Sequence, residues 1–223
     1  MLYRNTTSEE LFNVLSKLMS LPELSDFRLV GGTALSLLRG HRESVDIDMF
    51  CDGPYGEIPF DFILEVLRLK FSYVEETNPF IGPSNLANNQ GLYLFIGQNE
   101  ETSIKCDILY WDAPFLYPPI IEDGIRLATI EDIATMKLDT ISRGGRKKDF
   151  WDLSDILESY RFSDLIEIYK EKYPWFAVQD VIKGLSDFTI ADLMPDPICF
   201  KHKNWEMIKV EMQRIATEYN IAQ

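Results

Sequence analysis

In residues 44–49, SVDIDM, apolar and acidic side chains alternate. Successive side chains of a β-strand point to opposite faces, so the apolar residues share one face and Asp46 and Asp48 share the other. The two acidic residues then lie about 6–7 Å apart at their Cα atoms, because a strand rises about 3.3 Å per residue. The pattern predicts a strand with one buried apolar face and one face that carries two carboxylates.

The two carboxylates of this strand are candidates for a metal site. Charges this close repel each other unless a cation lies between them. Carboxylate oxygens suit Mg²⁺, which keeps several waters and takes further ligands from the phosphates of a substrate. We therefore predict Asp46 and Asp48 as ligands of Mg²⁺ or Mn²⁺. The alternative at this point is a strand whose acidic face is simply solvated.

A pair of glycines, Gly31 and Gly32, precedes the acidic strand. Residues 27–30 form a short apolar run and residues 33–38 are predicted to be helical, so the glycines lie where a strand turns into a helix. Backbone without Cβ atoms can approach a phosphate closely, and the N–H groups at a helix start attract anions. A double glycine alone marks many ordinary turns. A glycine turn, a short helix and an acidic strand in this order are more specific and predict a triphosphate site.

A third carboxylate belongs to a later strand. In residues 103–109, SIKCDIL, apolar residues alternate with Lys105 and Asp107, so Asp107 points to the polar face. If this strand lies beside the acidic strand, three carboxylates converge on one or two metal ions, which can activate a hydroxyl and stabilise leaving pyrophosphate. Taken alone, without the acidic strand beside it, Asp107 is expected to be a surface residue.

The remaining patterns divide the chain into an α/β half, residues 1–112, and a mostly helical half, residues 113–223. In the first half, Thr7 and Glu10 predict a capping box that opens a helix. Residues 59–71 predict a helix, residues 92–96 predict a strand, and the proline-containing residues 112–123 predict a connector. Five helices are predicted in the second half: residues 130–142, 149–159, 162–172, 177–184 and 203–219.

The composition limits the possible partners. The chain has 36 acidic and 22 basic residues and a net charge of −14, so extended binding to duplex nucleic acid is not expected. No apolar run approaches the roughly 20 residues that span a bilayer. The N-terminus lacks the apolar core of a secretory signal, and three widely spaced cysteines suggest neither a disulfide framework nor a metal clip. These features predict a cytoplasmic protein without a membrane partner.

A cluster of positive charge interrupts this acidic chain at Arg143, Arg146, Lys147 and Lys148. Guanidinium and ammonium groups suit a single triphosphate or RNA end, although basic residues are also favourable at a helix C-terminus. His41, in a loop before the acidic strand, is expected to be solvated, with contact to the substrate as the alternative.

Several enzyme classes are excluded by their missing motifs. The chain contains no HExxH, GxSxG or GxxxxGK[ST] sequence, which argues against a zinc hydrolase, an α/β-hydrolase and a P-loop NTPase. The tryptophans Trp151, Trp175 and Trp205 lie at apolar helical positions and are expected to belong to the core.

These residues resemble the nucleotidyltransferase superfamily, whose signature is a glycine pair, a DxD strand and a later single Asp. Within it, residues 31–35, GGTAL, then Arg42, Ser44 and the DxD strand are similar to the AbiEii/AbiGii toxin branch. A second block supports this resemblance. It consists of Lys137 on a helix and residues 146–153, RKKDFWDL, where a basic residue precedes Asp, an aromatic residue and a second Asp.

The resemblance covers about residues 27–157 and implies three groups of site residues. The nucleotide-binding group would be Gly31, Gly32, Thr33, Arg42, Ser44, Arg146 and Lys148. The metal ligands would be Asp46, Asp48 and Asp107. The catalytic group would be Asp46, Asp48, Asp107, Lys137 and Asp149.

Three of these residues would have specific roles: Asp107 as third metal ligand or base, Lys137 as a phosphate ligand, and Asp149 in orienting the nucleotide or the acceptor. One departure concerns the glycine turn, because many members have serine after the first glycine, whereas this chain has Gly32 and then Thr33. The glycine-pair variant is also similar to antibiotic nucleotidyltransferases. The class of acceptor therefore stays open.

The resemblance implies an α/β (α+β) nucleotidyltransferase fold: a twisted mixed sheet with flanking helices, followed by a helical region that completes the cleft. The expected reaction moves a nucleoside monophosphate from an NTP to a hydroxyl and releases pyrophosphate, with Mg²⁺ or Mn²⁺ as cofactor. The resemblance favours RNA such as tRNA as acceptor, in a toxin paired with an antitoxin protein. The alternatives are an aminoglycoside or lincosamide acceptor, which the acidic surface suits, protein self-modification, and a catalytically silent nucleotide-binding relative.

Overall fold

The computed structural model describes residues 1–77 and 90–222. Its chain is organised as two compact units. The first comprises Met1–Leu38 and Ser44–Ala128, and the second comprises Arg39–Glu43 and the chain from Thr129 onward. The chain therefore leaves the first unit for five residues before it returns to form the acidic strand.

The first unit is built on a mixed sheet that contains seven strands in its described part. The strand order is β3-β4-β5-β2-β1-β7-β6, with β2–β5 and β1–β7 parallel and the other neighbours antiparallel. The α/β fold class with a mixed sheet is thereby confirmed. The strands are β1 Arg28–Leu29, β2 Asp46–Cys51, β3 Tyr73–Glu76, β4 Gly91–Gly97, β5 Ile104–Tyr110, β6 Ile120–Glu122 and β7 Ile125–Leu127.

Three helices accompany this sheet: α1 Glu9–Met19, α2 Gly31–Arg39 and α3 Phe60–Lys70. The predicted capping residue of α1 was wrong. Ser8 is the N-cap, and its Oγ accepts a hydrogen bond of 3.0 Å from the Leu11 N–H. The Thr7 backbone N–H instead donates to the Arg4 carbonyl oxygen and closes a 3₁₀ turn, and the Thr7 hydroxyl donates to the same oxygen. The helix therefore begins one residue later than the sequence pattern indicates.

The predicted connector at residues 112–123 was also wrong at its end. Two short strands, β6 and β7, form a hairpin there, in which Glu122 pairs with Ile125. The two loop residues, Asp123 and Gly124, have φ values of 52° and 77°. Positive φ at both positions matches the type I′ turn that joins twisted antiparallel strands, and Asp-Gly is a preferred sequence for it. The Asp-Gly pair is a sequence signal for this hairpin, but the prolines before it led to the prediction of a connector.

The second unit is helical, as predicted. Its helices are α4 Ile130–Ser142, α5 Lys147–Ile156, α6 Phe162–Lys172, α7 Val178–Gly184 and α8 Trp205–Ala222. Helices α4 and α7 approach closely at Gly184, where an added Cβ would lie 2.3 Å from the carbonyl oxygen of Ile141. A fully buried ion pair of 2.6 Å between Lys172 and Asp132 joins α6 to α4.

Backbone pairing explains why Arg39–Glu43 belongs to the second unit. The Glu43 N–H donates to the carbonyl oxygen of Ile198, and the Phe200 N–H donates to that of His41, both at 2.9 Å. Arg42 and Cys199 form the antiparallel bridge between these two bonds. Among the described helices of both units, none is long and apolar enough to cross a membrane.

Candidate active site

The acidic strand and the strand of the third carboxylate are neighbours. β2 pairs with β5 in parallel, with Asp48 opposite Asp107 and Asp46 opposite Lys105. Residues opposite each other in neighbouring strands share a face of the sheet, and the strands lie about 4.8 Å apart. The three carboxylates therefore lie on one face, as the sequence predicted.

The opposite face of β2 is the core face, where Ile47 and Met49 are fully buried. Val45 was expected on that face as well, but β2 begins at Asp46 and Val45 lies before it, 68% exposed. The alternation that fixes the direction of the carboxylates therefore comes from the residues within and after the DxD sequence.

The glycine turn lies directly against the acidic strand. Gly31 opens α2 with a φ of +67°, and a Cβ added to it would lie 2.8 Å from Oδ2 of Asp48. The Val30 N–H donates a hydrogen bond of 2.8 Å to the carbonyl oxygen of Asp48. A side chain at position 31 would force the Asp48 carboxylate to move, so the backbone conformation and the close approach both favour glycine there.

Thr33 joins the first turn of α2 to the start of β2. Its buried hydroxyl donates to the backbone carbonyl oxygen of Asp46 and lies 2.8 Å from Oγ of Ser44. The structure thus gives Thr33 and Ser44 a role in positioning the acidic strand. Their contact with a triphosphate, implied by the resemblance, stays a prediction.

Asp107 is held by one of its two carboxylate oxygens. Oδ2 accepts a hydrogen bond from the Lys105 ammonium, which lies two residues earlier on the same strand. Oδ1 is buried and has no hydrogen-bond partner in the structure. A buried carboxylate oxygen without a partner is costly, and a divalent cation is one group that would satisfy it.

The charges of all three carboxylates also act on Lys105. Burial would lower the pKa of its ammonium group, but the hydrogen bond to Asp107 and the charges of Asp107, Asp48 and Asp46 together raise that pKa above its ordinary value. Lys105 is therefore held in its charged form beside the three carboxylates.

The donor set fits a divalent metal ion in its chemistry. Three carboxylates on one sheet face, with an unsatisfied oxygen on Asp107, match the all-oxygen ligands that Mg²⁺ and Mn²⁺ prefer. Among residues 1–77 and 90–222, no group of three or more His, Cys, Asp or Glu side chains is close enough to hold a metal ion as it stands. The ligand roles of Asp46, Asp48 and Asp107 accordingly remain predictions.

The second unit contains a buried charged network centred on Asp152 of α5. Arg42 donates to the two Asp152 oxygens at 2.6 and 2.9 Å, and Lys137 lies 2.7 Å from Oδ2. Lys137 also donates to Oδ1 of Asp149 at 2.7 Å. All four side chains are buried, so each charge is compensated inside the protein.

The titration of this network follows from its charges. Burial alone would raise the pKa of Asp152, but the charges of Arg42 and Lys137 hold it well below its ordinary value. The Lys137 charge likewise lowers the pKa of Asp149 against the effect of burial. Burial would lower the pKa of Lys137, and the two carboxylates raise it instead. Lys137 and both aspartates are therefore ionised at neutral pH.

The expectation for His41 was wrong. Its side chain is buried, 1% exposed, and its Nε2 lies 2.8 Å from Oδ1 of Asp152. The pairing of its loop with the segment around Cys199 buries it, and sequence alone gives no sign of that pairing. Asp152 is the second Asp of the sequence block 146–153, and no role was predicted for it. Its spacing of three residues from Asp149 puts both on one face of α5, which is the signal that could have identified it.

The basic cluster is largely engaged with acidic neighbours. Arg143 pairs with Asp139, and Lys147 pairs with Asp196 at 2.9 Å. Oδ2 of Asp149 accepts the backbone N–H of Arg146 at 3.0 Å and so caps the start of α5, where Lys148 also lies. The nucleotide-binding roles of Arg146 and Lys148 stay predictions.

The expected core position of the tryptophans holds for two of the three. Trp151 and Trp205 are buried and stack with ring centroids 6.3 Å apart. Trp175 is 59% exposed, because it lies in the turn between α6 and α7 rather than on a helix. The expectation for Trp175 was therefore wrong.

Comparison with known proteins adds a family and a fold. The family described as nucleotidyl transferase AbiEii toxin, type IV toxin–antitoxin system, matches residues 13–219. An uncharacterized protein of Aquifex aeolicus is 29% identical over 215 residues, which cover 92% of this chain and 93% of that protein.

Solved structures with a similar fold include nucleotidyltransferases. A putative nucleotidyltransferase from Helicobacter pylori has a TM-score of 0.54 and 21% identity, covering 95% of each chain. The nucleotidyltransferase toxin MenT4 from Mycobacterium tuberculosis has a TM-score of 0.55 and 17% identity, covering 93% of this chain and 83% of that one.

Proposed function

The chain belongs to the AbiEii nucleotidyltransferase toxin family and is therefore a nucleotidyltransferase, and on this premise we propose that it moves a nucleoside monophosphate from an NTP to a hydroxyl group of RNA. The observation that carries this proposal is the register of β2 and β5, which puts Asp46, Asp48 and Asp107 on one face. The contact between Gly31 and Asp48 adds a helix start beside the same carboxylates.

In the proposed reaction, the acceptor oxygen attacks the α-phosphorus of the NTP, and the bond from that phosphorus to the oxygen of the β-phosphate breaks. Pyrophosphate leaves with the bonding electron pair, and the proton of the attacking hydroxyl passes to Asp107. Asp46, Asp48 and Oδ1 of Asp107 would hold a divalent cation, which would supply charge stabilisation to the phosphates. The backbone at Gly31 and Gly32 approaches the triphosphate, so positioning provides much of the rate.

The family resemblance supports a nucleotide-binding role for Lys137 and Asp149, which belong to the buried network of the second unit. Lys137 binds a phosphate oxygen, and Asp149 orients the nucleotide or the acceptor. Asp152 holds Arg42 and Lys137 in fixed positions through its two oxygens, since bidentate pairing defines a geometry as well as a charge. Arg146 and Lys148 add positive charge at the start of α5.

Two aromatic residues favour RNA as the acceptor. In the β4–β5 register, Tyr93 lies opposite Asp107 and Phe95 lies opposite Lys105, so both aromatic side chains share the face of the carboxylates. Both are partly exposed, and burial together with the charge of Asp107 raises the pKa of Tyr93. Bases of single-stranded RNA stack on aromatic side chains, and a base on Tyr93 would bring its ribose hydroxyl near Asp107.

The proposed setting follows from the family. A type IV toxin acts with an antitoxin, so we propose an antitoxin protein as partner and the cytoplasm, where NTPs and tRNA occur, as location. We propose tRNA as the RNA acceptor. The net charge of −14 favours recognition of an RNA end over extended contact with a duplex.

The test is a transfer assay with Mg²⁺ and each α-labelled NTP in turn, offered with bulk tRNA or with a panel of aminoglycosides and lincosamides. We expect label to move to tRNA with the wild-type protein and not with Asp48→Asn. Asp61→Asn, at an exposed position of α3, is the matched control and should retain transfer. Label on a drug would replace RNA by a small-molecule acceptor. NTP binding without transfer to any acceptor would contradict the proposed activity and favour a silent binder.

A further inference from the structure

A lysine lies within the row of carboxylates that is proposed to hold the metal. Lys105 is opposite Asp46 in the β2–β5 register, and its ammonium donates to Oδ2 of Asp107. The other oxygen of Asp107, Oδ1, is buried without a hydrogen-bond partner. Lys105 therefore pairs with Oδ2 of Asp107, the predicted metal ligand, and leaves Oδ1 of the same carboxylate without a hydrogen bond.

The Lys105–Asp107 ion pair is placed so that a metal cation can displace the ammonium from the carboxylate. The Lys105 side chain is 47% exposed and that of Asp107 is 14% exposed, so the ammonium reaches the carboxylate from the solvent side. An ammonium on a flexible stem is a compact charge without a fixed fork geometry, and it can change partners with little rearrangement. A half-exposed pair of this kind is weak enough to be displaced by a divalent cation.

We propose that Lys105 is a counter-ion that competes with the divalent metal for Asp107 and thereby couples metal binding to NTP binding. Metal alone must displace the ammonium from Asp107 and neutralise the carboxylates that stabilise its charge. When the metal binds together with NTP, the phosphate oxygens offer the ammonium a new anionic partner on the same face. The metal therefore binds more tightly when NTP is present, and Lys105 contributes to that coupling.

This inference rests on the proposed function, because it needs Asp107 to be a metal ligand. The role of Lys105 and the proposed function predict different effects on metal affinity. Loss of the lysine should strengthen binding of the metal alone, whereas loss of a metal ligand should weaken it. Lys105 is a positioning residue in this account and not a catalytic residue.

The experiment measures Mn²⁺ affinity by electron paramagnetic resonance, with and without an α,β-methylene NTP analogue that cannot be cleaved. We expect Lys105→Met to bind Mn²⁺ alone about fivefold more tightly than the wild type, the size expected for a half-exposed ion pair. The enhancement of Mn²⁺ binding by the analogue should shrink by a similar factor. Lys105→Arg, which keeps the charge, should restore weak binding of Mn²⁺ alone.

Two controls separate this effect from damage to the fold. Lys70→Met, at an exposed position of α3, should leave both affinities unchanged. Lys105→Gln replaces Lys105→Met if circular dichroism shows that the latter is unfolded. Unchanged Mn²⁺ affinity in the folded variants would overturn the role of Lys105 and leave the proposed reaction standing. Absence of Mn²⁺ binding in the wild type, with or without the analogue, would overturn the metal site and this inference together.

Discussion

At the residue scale, the contact between Gly31 and Asp48 joins the glycine turn to the acidic strand. The φ of Gly31 is +67°, a conformation that costs other L-residues roughly 1–2 kcal/mol. An added Cβ would in addition lie 2.8 Å from Oδ2 of Asp48. Two separate costs, backbone strain and displacement of a predicted metal ligand, are thus present at one position.

Gly31→Ala should therefore lower both the stability and the transfer rate. We expect a loss of about 1–2 kcal/mol in the free energy of unfolding from the positive φ. We also expect a fall of about 100-fold in kcat, because a displacement on the order of 1 Å in a catalytic group has this effect. Gly56→Ala is the matched control, since Gly56 has a φ of +79° but nothing within 4 Å of its added Cβ. Equal losses of kcat in both variants would show that the contact between position 31 and Asp48 does not affect the transfer rate.

Asp152 provides a second residue-scale prediction, which concerns pH. Its pKa is well below the ordinary value in the folded protein, so it stabilises the fold above the unfolded pKa and loses that contribution as pH falls through the folded pKa. Asp152→Asn should cost about 3–5 kcal/mol at pH 7, because Arg42 and Lys137 lose a buried anionic partner.

The difference in unfolding free energy between wild type and Asp152→Asn should shrink as pH falls below about 4, where the unfolded carboxyl begins to bind a proton. Urea unfolding followed by fluorescence at several pH values measures this. The exposed Asp180→Asn serves as the control. A difference that stays constant from pH 7 down to pH 2 would contradict the assigned charge pairs.

At the element scale, strand register decides which side chains share a face. Phe95 of β4 lies opposite Lys105 of β5, so its ring belongs to the face of the carboxylates. Leu94 and Ile96, its neighbours in sequence, are fully buried on the other face. A shift of register by one residue would exchange these sets, so the position of the ring is a direct consequence of the β4–β5 ladder.

Phe95→Leu tests whether this face binds an RNA base. Loss of one base–aromatic stack costs about 1–3 kcal/mol, so the KM for tRNA should rise roughly five- to 100-fold. The KM for NTP should stay within about twofold if the ring contacts only the acceptor. Phe62→Leu, at a position of α3 that is 52% exposed, is the matched control. An unchanged KM for tRNA in steady-state assays would remove Phe95 from the acceptor site.

At the scale of the whole molecule, charge governs the approach of RNA. A net charge of −14 repels a phosphate backbone at long range, and salt screens this repulsion over about 10 Å at 0.1 M. Contacts with many phosphates would make binding fall steeply with salt, as they do in basic nucleic-acid-binding proteins.

We accordingly expect a weak salt dependence of tRNA recognition. Between 50 and 200 mM KCl, the KM for tRNA should rise less than about tenfold, whereas proteins with 6–10 phosphate contacts lose roughly 10³- to 10⁵-fold in affinity. Transfer assays at four salt concentrations measure the slope, with the KM for NTP as internal reference. A steep rise would indicate an extended phosphate-binding surface and contradict recognition of a single RNA end.

Much of the secondary structure could be predicted from local pattern. α4 and α6 have the predicted boundaries, because a threonine cap or a sharp change of periodicity marks their starts. β2 and β5 were predicted from alternation, and the suggestion that they are neighbours is confirmed. The short strand β3 and the β6–β7 hairpin were missed, since two to four residues carry too little periodicity to be recognised.

Local sequence pattern was enough to predict the fold class, the family resemblance and the polar side of each strand that carries Asp46, Asp48 or Asp107, because alternation along a strand is a local property. Other contacts could be seen only in the folded chain: Lys105 pairs with Asp107, Gly31 lies against Asp48, and Arg42, His41 and Lys137 meet at Asp152. In the Asp152 network the partners lie up to 111 positions apart in the chain, at a distance where periodicity carries no information. Such contacts depend on strand register and helix packing, which are fixed when the chain buries its apolar faces together.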